Sequence, residues 1–89
     1  MGPKVEAKAV QVRLHEMKVG QRGVVVRVGG KGPARQRMMD MGLVPGTEVK
    51  VVRVAPLGDP VEFQVKGYSL SLRKSEASEI MVEPSEDTG

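Results

Sequence analysis

The segment 61-VEFQVKGYSLSL-72 constrains the fold more than any other, because it reads as two strands that match across a short turn. Val61, Phe63 and Val65 alternate with polar residues up to Lys66-Gly67, and Tyr68, Leu70 and Leu72 alternate after it. Period-two alternation marks a half-buried strand. A two-residue loop then makes Val65 face Tyr68, Phe63 face Leu70 and Val61 face Leu72. Both aromatic rings are expected on the inner face, with Glu62, Gln64, Ser69 and Ser71 on the wet one.

Three more stretches read as strands. In 22-RGVVVRV-28, Val24, Val26 and Val28 are expected to share one face, opposite Val25 and Arg27. In 48-EVKVVRVA-55 the inward phase starts with Val49 and Val51 and changes to Val52 and Val54. Such a change predicts a bulge or strong bend, a device by which small sheets curl into barrels. The last strand, 79-EIMVE-83, offers Ile80 and Val82 inward.

Between the first two strands, 32-GPARQRMMDMGLVPGT-47 changes to helical spacing. Ala34, Met38 and Met41 fall on one face of a helix of two to three turns, Pro33 suits its first position and Gly42 its left-handed cap. Pro45-Gly46 fits a type II turn that aims the chain into the next strand. Gly58-Asp59-Pro60 reads as another turn, and Ser75 to Ser78 as a single helical turn. The fold class is therefore mainly β, with five short strands curled into a small barrel and one short helix between the first and second strands.

Composition bounds the function. Eighty-nine residues make one small domain. The chain has no cysteine, which excludes a disulfide, a thiolate metal site and a cysteine nucleophile, and its one histidine is His15. The first residues lack the apolar core of a signal peptide and no run approaches a membrane span, so a soluble cytoplasmic protein is expected. Residues 1 to 37 carry nine basic side chains against Glu6 and Glu16, whereas residues 38 to 89 are acidic on balance, leaving +3 overall. Such asymmetry signals an acidic partner or nucleic acid, unless interleaved strands mix the charges on folding.

The order 14-LHEMKVGQRG-23, 37-RMMDMGLVPGTEVKV-51, 59-DPVEFQV-65 and 70-LSLRKSEASEIMV-82 resembles the FeoA family. The resemblance implies an SH3-like five-stranded barrel over residues 13–83, between a flexible extension 1–12 and a flexible tail 84–89. It also implies a role in bacterial ferrous iron uptake with a partner, the cytosolic GTP-binding domain of a FeoB-type permease. The same domain ends iron-dependent repressors resembling DtxR, but no helix-turn-helix region is expected ahead of it here. Arg37 falls on the helix arginine of the family pattern, Gly42, Pro45 and Gly46 on its turn, and Arg73, Glu76 and Ala77 on the segment before the last strand. Met38 and Met39 stand where leucines are more usual.

Metal chemistry finds little to work with. Ferrous sites want imidazole and carboxylate groups that converge, and methionine sulfur prefers softer ions, so Met38 and Met41 read as core and no metal or cofactor is expected. Nor is catalysis: no serine stands near His15 by spacing, and 29-GGKG-32 lacks the spacing of a phosphate loop. One Phe, one Tyr and no Trp argue against a groove for proline-rich peptides.

The helix charges point elsewhere. Arg35 and Arg37 near its positive end and Asp40 near its negative end oppose the helix dipole at a few tenths of a kcal/mol each. Either this is a solvated face whose charges are placed by chance or a partner holds them, and on the second reading Arg35, Arg37, Met39, Leu43 and Val44 form the candidate partner-binding patch. The reading is a non-enzymatic accessory protein that binds, and regulates, the permease GTPase domain, without membrane insertion and with self-association left open. The alternatives are a small basic barrel that binds nucleic acid in a ribosomal or transcription setting, or a stand-alone repressor-type module. Lack of exposed aromatic rings and of a sustained Lys/Arg cluster argues against nucleic acid.

Overall fold

The computed structural model describes residues 10–85. In chain order it has β1 (Val12–Arg13), a 3-10 turn (Leu14–Glu16), β2 (Arg22–Val28), α1 (Gly32–Asp40), β3 (Glu48–Val54), β4 (Val61–Val65), β5 (Tyr68–Leu72), α2 (Lys74–Ala77) and β6 (Ile80–Pro84). The strands form one antiparallel sheet in the order β1-β6-β2-β3-β4-β5. That is one strand more than expected, because the two-residue β1 is too short to show periodicity. It pairs with β6 through Val12 and Val82. The sheet thus begins one residue before the expected boundary at 13 and runs one beyond 83, while most of the expected extension and tail, residues 1–9 and 86–89, lies outside the described residues.

The hairpin closes in the expected register, with Val65 opposite Tyr68, Phe63 opposite Leu70 and Val61 opposite Leu72. Phe63 is wholly buried at the centre of a core with Leu14, Met38, Leu43, Val51, Ile80 and Val82. Tyr68 is not: it lies on the inner face but at the rim, 46% exposed. β3 changes phase where expected, its register shifting between Val51 and Arg53. Val49 and Val51 are buried before the shift, and Val54 shares a face with Val61 after it, yet Val52 and Val54 stay 37% and 40% exposed. The inserted residue turns the strand end past the edge of the core.

β2 departs from expectation. Its buried residues are Gly23, Val25 and Val28, and its register against β6 shifts between Val25 and Arg27. A bulge at Val26 replaces one two-residue step by three, so Val24 and Val26 are only half-buried. The two bulged strands curl the sheet around Phe63. β6, from the acidic half of the chain, inserts between β1 and β2 from the basic half, so the charge gradient along the sequence is mixed in space. Among the described residues, no helix is long and apolar enough to cross a membrane.

Candidate functional site

α1 spans the connection from β2 to β3, and its sequence explains both ends. Lys31 caps the start in extended conformation without a side-chain hydrogen bond, and Pro33 occupies the first turn, where a missing N–H costs nothing. Of its nine residues only Met38 is buried, while Met39 is half-buried. The expected stripe of Ala34, Met38 and Met41 is therefore incomplete. Ala34 is exposed and Met41 caps the helix, half-buried, because the helix meets the core only through its C-terminal turn.

The stop is a Schellman arrangement. Leu43 N–H donates to Met38 O at 3.1 Å and Gly42 N–H to Met39 O at 3.0 Å, with Gly42 at φ +100°. This motif carries an apolar contact between the residue after the glycine and the third from the helix end. Leu43 accordingly joins Met38 in the core at 0% exposure. Side chains complete the end: Thr47 Oγ1 donates to Gly42 O at 2.9 Å, and the Tyr68 hydroxyl donates to Met41 O. The turn that follows is closed by Thr47 N–H to Val44 O at 3.0 Å, with Gly46 at φ +98°, as a type II turn requires.

Gly42 is doubly restricted, since a Cβ there would stand 2.6 Å from Tyr68 Oη in a backbone conformation that side chains avoid. Gly42→Ala is expected to cost about 1–3 kcal/mol. Thermal unfolding checks this; a neutral or stabilised variant would contradict the cap.

The charges that oppose the helix dipole have partners. Arg35 Nε donates to Val28 O at 3.1 Å, tying the second turn of α1 to the end of β2. Arg37 forms an ion pair with Glu76 of α2. The other Glu76 oxygen accepts Arg73 N–H at 2.9 Å, and Glu76 N–H donates to Arg73 O at 2.9 Å, so one carboxylate both caps α2 and holds α1. Asp40 accepts from Gln36 Nε2 at 2.8 Å. Exposed contacts of this kind contribute about 0.2–1 kcal/mol, the same order as the dipole penalty they offset.

Four of the five expected patch residues are accessible. Arg35 and Arg37 are exposed, Val44 is 37% exposed and Met39 half-buried. Leu43 does not belong to the patch, because the Schellman contact turns it inward. That signal was present in the sequence, as reading Gly42 as a left-handed cap already implies an inward residue after it. Tyr68 and Thr47, which seal the helix end, have no such local signal. Elsewhere, Glu16 accepts Arg13 N–H at 2.9 Å as the cap of the 3-10 turn. Among the described residues no three His, Asp or Glu side chains gather as metal ligands would.

The residues from β1 to β6 coincide with a known domain: residues 12–84 match the FeoA domain. The chain belongs to the FeoA family. A Fe(2+) transport protein A/Fe(2+) transporter FeoB fusion protein of Porphyromonas gingivalis is 44% identical over 72 residues, covering 81% of this chain and 8% of that much longer protein. The solution structure of a FeoA-like protein from Clostridium acetobutylicum has a TM-score of 0.81 at 39% identity, covering 89% of this chain and 92% of that one. FeoA of Stenotrophomonas maltophilia, crystallised with zinc and described as a procaryotic SH3 domain protein, has a TM-score of 0.71 at 31% identity, covering 79% and 87% of the two chains. The fold of this FeoA domain is thus SH3-like, as the resemblance implied. Arg37 and the backbone N–H of Arg73 meet on the Glu76 carboxylate, 39 positions from Arg37 in sequence.

Proposed function

We propose that this FeoA domain is a cytoplasmic, non-enzymatic accessory of ferrous iron uptake that docks on the GTP-binding domain of a FeoB-type permease through α1 and the turn after it. The observation that carries the reading is the Porphyromonas gingivalis relative, in which a FeoA part and a FeoB transporter share one chain. Tethering holds two modules at an effective concentration of about a millimolar, which serves modules that work in contact. On this chain α1 leaves most of its length uncovered: eight of its nine residues are exposed or half-buried. Arg35 and Arg37 are held in place before a partner arrives, which lowers the entropy cost of using them in a contact.

The double variant Arg35→Glu/Arg37→Glu is expected to bind the purified permease GTP-binding domain at least about tenfold more weakly, mainly through lost charge complementarity. Its stability should fall by roughly 1 kcal/mol or less, as for exposed ion pairs. Calorimetry with the GTP-binding domain and a melting curve give both readings. Unchanged affinity would remove α1 as the docking surface, and failure of the unaltered chain to bind would remove the partner.

A further inference from the structure

The outer face of the sheet carries two cross-strand rows with opposite electrostatics. In one, Arg53 of β3 lies opposite Glu62 of β4, with Arg53 Nε 3.5 Å from Glu62 Oε1. In the other, Arg22 of β2 lies opposite Lys50 of β3, then come Gln64 of β4 and Ser69 of β5. Like charges directly opposite on neighbouring strands are destabilising. Among the described residues, no ion pair reaches Arg22, Lys50 or Lys66. Together with Gln64 and Glu48 these three cations line one depression of about 360 Å³.

Lys66 adds a second oddity. It takes φ +37° at the first position of the β4–β5 turn, where glycine, asparagine or aspartate fits with less strain. Neither sheet pairing nor turn geometry accounts for three cations lining one depression with the single carboxylate of Glu48.

We propose that this depression docks a carboxylate-rich segment of a partner protein, with Arg22, Lys50 and Lys66 as its cationic contacts. Carboxylates there would gain charge-assisted hydrogen bonds and relieve the Arg22–Lys50 repulsion, and the Gln64 amide supplies a further donor. A nucleic acid fits less well. The cations fill one depression rather than track a strand, and neither aromatic ring stands on this face: Phe63 is buried, and Tyr68 is opposite Val65 on the inner one. The surface shares no residue with the α1 patch and does not depend on the permease reading.

Titration of the full chain with a hexaglutamate peptide, followed by amide chemical shifts, tests the proposal. Shifts should concentrate at residues 22, 48–50 and 64–67 and weaken with salt. Lys50→Gln should weaken binding about five- to tenfold and raise the melting temperature by roughly 1–5 °C as the like-charge pair is relieved. A residue that serves stability alone would not give that pairing of effects. Arg27→Gln removes the same charge elsewhere on β2 and should leave binding within about twofold.

Equal weakening by Arg27→Gln would overturn the proposal in favour of bulk charge. So would an oligothymidylate that binds the same residues more tightly than the peptide, which would make the site one for nucleic acid. If a chain ending at Ser85 binds the peptide several-fold more tightly, the occupant is the chain's own Glu86-Asp87 segment, since Ser85 N–H donates to Arg22 O at 2.9 Å beside the depression. That result too would overturn it.

Discussion

Phe63→Ala is expected to be the most damaging single truncation in this domain. Phe63 is 0% exposed and pairs with Val51 on one side and Leu70 on the other, at the point where the bulged strands curl around the core. Removing a buried phenylalanine costs about 3–5 kcal/mol, through lost transfer free energy and the cavity left behind. A small domain has only about 5–15 kcal/mol of total stability. At roughly 4–8 °C per kcal/mol for a chain of this size, the melting temperature should drop on the order of 20 °C. Thermal unfolding followed by circular dichroism measures this directly. A loss below about 1 kcal/mol would mean that Phe63 is not the centre of the core.

Leu43→Ala should also act on stability, and it separates two readings of one residue. From the sequence alone Leu43 belongs to an exposed docking patch; in the structure it is 0% exposed and its N–H closes the end of α1 on Met38 O. Truncation is expected to cost about 2–5 kcal/mol, the range for buried leucines. At temperatures where the variant remains folded, its affinity for the permease GTP-binding domain should stay close to that of the unaltered chain. Lost binding with undiminished stability would return Leu43 to the surface.

These two residues show why some features were legible and others were not. Phe63 sits in a segment whose alternation fixes both faces and the register, and period two survives folding because the hairpin is local. Leu43 follows a glycine whose cap geometry is equally local, and the inward turn of the next residue is part of that motif. Placing Leu43 with Val44 on the exposed side overlooks this inward turn. The fates of the helix arginines were not local at all. Arg37 meets Glu76 across 39 positions of sequence, and no periodicity in 32-GPARQRMMD-40 names that partner.

β2 makes the same point from another side. Three consecutive valines at 24 to 26 satisfy either phase, so the pattern in 22-RGVVVRV-28 leaves the inner face ambiguous. Pairing with β6 resolves it through the register shift between Val25 and Arg27. In β3 the phase change is written into the sequence, but how far Val54 reaches under cover depends on where the sheet ends. Tyr68 is comparable: its strand phase is right, and its rim position is set by the approach of the α1 end, whose Met41 carbonyl it bonds.

By itself, the sequence determined the elements that repeat with a local period or turn on a special residue: the β4–β5 hairpin and its register, the phase change in β3, the extent of α1, and the stops at Gly42 and Pro45-Gly46. These depend on dihedral preferences and side-chain spacing within a few residues, which any segment carries with it. Only the tertiary structure decided which valines of β2 face inward, that Leu43 is core, and that Arg37 and Arg73 converge on Glu76. It alone set Arg22 against Lys50 over one depression. Each of these is a meeting of segments distant in sequence, and its outcome depends on strand order, bulge placement and where the core ends.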